Sequence, residues 1–261
     1  MESDFEFNRQ SFDTVSDLYA VARPEYKKEL FACIDSVRHF TSESQILEVG
    51  AGTGIATKQI ADTWHPHITA LEPGSHLLAQ ARRKLSAYTD IRFVNTTFEA
   101  CKVQAGVYDG IFAATSFHWL DPAIKYSKAA ALLKRDGLLI VFWNYYGIQD
   151  EQISNRIQNL YETYGMRTAG SSVRKLLHEK MKARRKELSK CTSFHILRES
   201  LFTDAIPYSA QNYINLLKTF SDHSHVPGID SFYRDIARLI ENSGGVITVH
   251  ITAQLEIAGK V

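Results

Sequence analysis

The stretch that decides the fold is ILEVGAGTG, residues 46–54, an apolar run that passes without a break into three alternating glycines. The residues flanking Glu48 read as a buried strand, and Gly50, Gly52 and Gly54 as the turn that carries the chain out of it. Glycines adopt left-handed backbone angles and let a ligand approach the main chain without meeting a side chain. A ligand is therefore expected above this strand end. The spacing discriminates between cofactors, because a dinucleotide fingerprint requires a third glycine where Ile55 stands, and the Gly-Lys-Ser/Thr of a phosphate loop is missing.

Working outward, short apolar runs alternate with helical patterns from residue 45 to residue 141, the rhythm of parallel strands joined by crossover helices. Strands are expected over 45–50, 67–72, 91–95, 109–114 and 137–143. Leu77, Leu78, Ala81 and Leu85 recur at helical spacing between the second and third. The second strand ends at Glu72-Pro73, about twenty residues beyond the glycine turn, where a carboxylate can accept hydrogen bonds from two ribose hydroxyls. Turn, Glu48 and Glu72 together point to a ribose-bearing ligand.

Ahead of the first strand, Arg23-Pro24-Glu25 predicts a helix start, with Leu30, Ile34 and Val37 as its buried stripe. Residues 149–190 read as two or three charged helices. A sixth strand is expected over 193–202, helices over 210–220 and 231–242, and a long final strand over 246–257. The expected architecture is α/β: a doubly wound, seven-stranded, mostly parallel sheet with its last strand antiparallel. Residues 1–147 and 192–261 form the core, and residues 148–191 an inserted helical cap.

Composition narrows the class. At 261 residues, 44% hydrophobic and 23% charged, the chain is that of a globular protein with a substantial core. No apolar run approaches the roughly 20 residues of a membrane span, and the acidic start lacks the features of a secretory signal, so a cytoplasmic location is expected. Cys33, Cys101 and Cys191 form no CxxC pair, and no metal is expected. The net charge of +1 argues against a surface built for nucleic acid.

At residues 48–54 the sequence resembles the class I S-adenosylmethionine-dependent methyltransferases, whose first motif is acid-x-Gly-x-Gly-x-Gly. That resemblance implies a Rossmann-like methyltransferase fold and S-adenosylmethionine as cofactor. Glu48 with Gly50, Ala51, Gly52, Thr53 and Gly54 would face the methionine part, and Glu72 with Pro73 would hold the ribose. Thr97, Phe98 and Glu99 match the adenine edge, and residues 115–119, including Thr115, Phe117 and Trp119, would close over the cofactor. The segment YDGIFAATSFHWLDP (108–122) and the opening Tyr19…Arg23-Pro24 are similar to a small-molecule branch that includes trans-aconitate methyltransferase-like proteins. By that resemblance Tyr19 and Arg23 cover the methionine carboxylate.

A sulfonium carries its own leaving group, so the protein's main task is alignment and exclusion of water. A hydroxyl or amine acceptor also benefits from a base, and His118 is the candidate catalytic residue; a carboxylate needs none. Substrate is expected near Trp143, Asn144 and Tyr145 and the loop 219–227, with Asp222, His223 and His225 as possible contacts. The basic run 173–190 reads as a solvated helix face with Leu176, Leu177, Met181 and Leu188 inward. The expected partner is a small-molecule methyl acceptor, with no membrane or nucleic-acid partner, in a monomer or homodimer. The alternatives are an RNA or protein methyltransferase and a non-catalytic S-adenosylmethionine-binding module.

Overall fold

The computed structural model describes residue 18 and residues 22–166, 173–188, 190–223 and 226–261. Its elements run α1 (Lys28–Val37), β1 (Gln45–Val49), α2 (Ile55–Trp64), β2 (His67–Leu71), α3 (Ser75–Lys84), β3 (Ile91–Val94), β4 (Tyr108–Ala114), α4 (Lys125–Leu132) and β5 (Leu133–Ile148). They continue with α5 (Glu151–Thr163), α6 (Val173–Leu188), β6 (Phe194–Ser209), α7 (Ala210–Leu217), α8 (Ile229–Glu241) and β7 (Val246–Lys260). The strands form one seven-stranded sheet in the order β3-β2-β1-β4-β5-β7-β6. β1 to β5 pair in parallel, and β7 runs antiparallel to both β5 and β6. This is the expected doubly wound sheet, and the reversal of strand order between β1 and β4 opens a crevice at the carboxyl ends of the strands.

Both faces of the sheet are buried because the central strands are mostly apolar on both sides, as a parallel sheet sandwiched by helices requires. Ile46, Phe112, Ile140 and Phe142 face α1 and α2, whose Leu30, Ile34, Ile60 and Trp64 complete that core. Leu47, Ile111, Leu139 and Val141 face α4 and α6 on the other side. Each fully buried Leu or Ile contributes roughly 1.5–3 kcal/mol relative to exposure. The alternation puts Glu48 on the same side of β1 as Ile46, toward Thr57 of α2, where an acid has no hydration of its own.

Three expectations change. The helix that leads into β1 begins at Lys28, not at Pro24: Lys27 is extended, and the backbone of Tyr26 is tied in both directions to the Gln59 amide of α2, at 2.9 and 2.7 Å. β5 continues past Trp143 to Ile148, and β6 past Phe202 to Ser209, since β7 offers an unbroken antiparallel partner to each. These long strands rise beyond the ends of β1 to β4, and α5, α7 and α8 pack on the extension through Ile157, Tyr161, Leu216, Phe232 and Ile240. In α6, Leu177 and Leu188 are buried and Met181 packs against the same core, while the side chain of Leu176 lies outside the described residues. Among the described residues no helix is long and apolar enough to cross a membrane, and no His, Cys, Asp or Glu cluster could hold a metal ion.

Candidate cofactor site

The three glycines after β1 all have positive φ, each for its own reason. A Cβ on Gly50 (φ +74°) would lie 2.5 Å from Cβ of Ser116, so this position admits only hydrogen. On Gly54 (φ +84°) it would lie 2.9 Å from Leu85 and 3.3 Å from Ala81, where α2 passes close to α3. Gly52 (φ +58°) differs, because nothing stands within 4 Å of its missing side chain. It borders open space, the geometry of a main chain bared to a ligand.

That space is a cavity of about 510 Å³, within the range of small-molecule sites. Glu72 stands at one wall, its Oε2 accepting from Gly52 N and its Oε1 from Gly74 N, each at 2.8 Å. These two bonds orient the carboxylate at the cavity wall. Pro73, Thr97 and Phe98 form the wall beyond it, and Thr115, His118 and Trp119 the wall after β4.

Glu48, Ala51 and Thr53 line a small recess that adjoins the cavity at Gly50 and Gly52. The Glu48 side chain has no exposure, and among the described residues neither carboxylate oxygen has a hydrogen-bond partner. Burial, reinforced by the negative charge of Glu72, pushes its pKa up to about 7; the nearby Thr57 hydroxyl opposes the shift but lies outside bonding geometry. A buried carboxylate of this kind lacks a positive or hydrogen-bond-donating group.

Thr115 has φ +57°, an uncommon angle for a β-branched residue. It is held there by its N–H to Phe142 O at 2.7 Å and by a hydroxyl contact to Tyr26 Oη at 3.0 Å. Ser116 donates its hydroxyl to Val49 O, locking the turn after β4 against the glycine turn. Across the cavity, Arg23 donates to the side chain and carbonyl of Thr219 at 2.8 and 3.0 Å, and stacks over Phe220 at 4.7 Å and Tyr146 at 5.3 Å. It fastens the segment before α1 to the loop after α7.

His118 bears on the expected chemistry. Its Nδ1 accepts the indole N–H of Trp143 at 3.1 Å, which places the ring proton on Nε2. Desolvation by the surrounding protein, then the positive charges of Arg184, Lys180 and Lys125, hold its pKa below the ordinary value. The ring is neutral at pH 7 although one edge is open to the cavity. Its accepting nitrogen is occupied, so it is poorly suited to remove a proton and well suited to donate one hydrogen bond.

Of the residues expected in the cofactor site, Arg23, Gly50, Gly52, Glu72, Pro73, Thr97, Phe98, Thr115, His118 and Trp119 meet at the cavity, and Glu48, Ala51 and Thr53 at its recess. Gly54 caps α2 behind it. Phe117 turns into the core on the far side of His118, and Glu99 accepts from Asp121 N at 3.1 Å instead of facing the cavity. Tyr19 and His225 lie outside the described residues. Asn144 lines the cavity as expected, but its neighbour there is Tyr146, since the alternation of β5 sends Trp143 and Tyr145 to the opposite face. Asp222 reaches the cavity, whereas His223 is buried between Tyr161 and Tyr233, with both ring nitrogens bonded. Ser116 and Phe220, from the expected segments 115–119 and 219–227, line it too, and Lys180 joins them from the basic run of α6.

Comparison with known proteins agrees with this geometry. Residues 46–137 match the family described as Methyltransferase domain. A candidate methyltransferase of Dictyostelium discoideum is 27% identical over 160 residues, 61% of this chain and 57% of its own length. The malonyl-[acyl-carrier protein] O-methyltransferase of Paenibacillus sp. is 28% identical over 169 residues, 62% of this chain and 60% of its own. The chain thus spans less than two thirds of the length of either relative. The solved structure of a candidate type II methyltransferase from Anaeromyxobacter dehalogenans superposes with a TM-score of 0.67, at 15% identity, over 90% of this chain and 97% of that one. The glycine turn, the strand order and the domain match agree: residues 46–137 form a methyltransferase domain, on a sheet similar to that of the class I S-adenosylmethionine-dependent methyltransferases.

Proposed function

We propose that the protein binds S-adenosylmethionine in the 510 Å³ cavity and transfers its methyl group to a small-molecule carboxylate. The observation that carries the cofactor reading is the buried Glu48 carboxylate, unpartnered beside the Gly50–Gly52 main chain, where the α-ammonium of the methionine part would supply the missing charge. Glu72 would receive the ribose hydroxyls, and Phe98 with Thr97 and Leu77 would flank the adenine. Residues 1–147 and 192–261 supply these contacts, and Lys180 brings the 148–191 cap to the cavity wall.

S-adenosylmethionine supplies an electrophilic methyl group on a sulfonium. The chain's own residues orient the acceptor and exclude water around it. The acceptor side is bounded by Asn144, Tyr146, Phe220, Asp222, Arg23 and Lys180. Because His118 has its accepting nitrogen engaged, the acceptor should arrive already deprotonated, and a carboxylate meets that condition at neutral pH without a base. Two cations, Arg23 and Lys180, against the single acid Asp222 leave this side net positive, which favours an anionic acceptor. The Paenibacillus relative, by its name, methylates oxygen.

The test is transfer of isotopically labelled methyl from S-adenosylmethionine to a panel of small carboxylates, phenols and amines, read as labelled product. Turnover confined to carboxylates supports the proposal. Turnover of phenols or amines that falls about 100-fold in Asp222→Asn would instead assign Asp222 as a base and reject the carboxylate acceptor.

A further inference from the structure

On the other side of His118 lies a second cavity of about 270 Å³, enclosed between β5 and β7 of the sheet and the helices α4 and α6. His118 and Leu120 belong to the walls of both cavities, so the two are neighbours separated by side chains. Tyr126, Val141, Trp143, Ile257 and Ala258 give the second one mainly apolar walls. An apolar cavity of about 150 Å³ holds benzene. One of this volume takes a two-ring molecule or an alkyl chain of about eight carbons on the same scale.

Its polar groups define what else the occupant carries. The Lys125 ammonium is paired with Glu187 at 2.6 Å, and the Arg184 guanidinium lies 3.3 Å over the Trp143 ring while donating to Gln254 Oε1 at 2.7 Å. Both cations already have partners within the wall, and Glu187 and Glu256 of the same lining offset their charge, so the cavity carries no net pull on an anion. Glu256 is different. It is 5% exposed, its Oε1 accepts from Gln254 Nε2 at 2.6 Å, and its Oε2 has no hydrogen-bond partner among the described residues. Burial raises its pKa to about 7, so at neutral pH the carboxyl is available to receive a donor without a full ionic cost.

We propose that this second cavity binds an uncharged, largely apolar molecule of about two rings, or an alkyl chain of similar volume, bearing one O–H or N–H that Glu256 receives. The site does not depend on methyl transfer or on the cofactor. Occupancy would place the ligand against Trp143, the residue that holds His118 in its tautomer.

The test is calorimetric titration of the full chain with 2-naphthol, naphthalene and 2-naphthoate. Saturable one-to-one binding of 2-naphthol is expected, about tenfold tighter than naphthalene, with 2-naphthoate weakest. Ala258→Leu, which fills the cavity, should abolish binding while the protein still melts cooperatively; Val141→Phe serves the same purpose if that variant does not fold. Glu256→Met, which keeps the side chain's length without its carboxyl oxygens, should erase the preference for 2-naphthol over naphthalene. The proposal is overturned if none of the three probes binds saturably to folded protein. It is equally overturned if both cavity-filling variants leave binding unchanged, if 2-naphthoate binds as tightly as 2-naphthol, or if S-adenosylmethionine displaces the probe competitively.

Discussion

Trp143 donates its indole N–H to Nδ1 of His118 across 3.1 Å, and that single bond decides which nitrogen of the histidine carries the proton. With Nδ1 occupied, Nε2 is a donor, and the neighbouring cations disfavour a second proton on the ring. His118→Gln, which keeps a donor on a side chain of similar reach, should therefore retain kcat to within about tenfold and leave the shape of the pH–rate profile unchanged. General-base catalysis is worth about 10²–10⁴-fold. A loss of that size, with disappearance of a titrating limb in the profile, would restore the histidine as base.

The glycine turn separates folding from binding. Gly50→Ala drives a methyl group to within 2.5 Å of Ser116 Cβ at a left-handed angle, and should destabilise the fold by about 2–4 kcal/mol. Gly52→Ala meets no atom within 4 Å, and should lose only about 1 kcal/mol. Its methyl enters the space assigned to the cofactor, so cofactor affinity should fall by more than tenfold. Thermal melting and calorimetric titration of the two variants read the two effects apart.

Glu48 links stability and binding to pH. Its folded pKa of about 7 lies above the unfolded value, so its favourable contribution is present below about pH 4.5 and is lost as pH rises through 7. Across that window the loss is roughly 3 kcal/mol, from about 2.5 pKa units at 1.36 kcal/mol each. Glu256 adds a loss of the same sign, so Glu48→Gln should flatten the pH dependence of stability without removing it. If the cofactor's ammonium pairs with ionised Glu48, affinity should rise roughly eightfold between pH 6 and 7.5. The same substitution should abolish that rise. Urea melts and titrations at both pH values check the pair of statements.

Arg23 should act on acceptor binding more than on the fold. Its guanidinium makes two bonds to Thr219 and stacks over Phe220 and Tyr146, geometry that an ammonium cannot reproduce. Arg23→Lys should raise KM for the acceptor by about tenfold, which is about 1.4 kcal/mol, with melting temperature nearly unchanged. An unaltered KM would show that the link between the 23–27 segment and the 219–220 loop has no part in catalysis.

The parallel half of the fold was legible because each strand is an apolar run ended by a turn signal, and the cofactor turn because three glycines sit at a spacing with few alternative uses. The far end of β5 was not legible. Asn144, Tyr145, Tyr146 and Gly147 have no strand pattern of their own, and they extend the strand because β7 pairs with them residue by residue. That nonlocal pairing also exchanges Tyr146 for Tyr145 at the cavity. The start of α1 was misjudged for a similar reason, as Gln59 captures the backbone of Tyr26 from 33 residues away. Likewise, the basic run of α6 gives no local sign that Lys180 and Arg184 turn inward onto Tyr145 and Trp143.

The most direct test of the central claim is calorimetric titration of the full chain with S-adenosylmethionine and S-adenosylhomocysteine, beside Glu72→Gln. Wild-type protein should bind both with dissociation constants on the order of micromolar. The variant, still melting cooperatively, should bind at least tenfold more weakly, because one of the oxygens that orient the Gly52 turn, and that would receive the ribose, becomes a donor. A cooperatively folded wild type that binds neither compound would contradict the account.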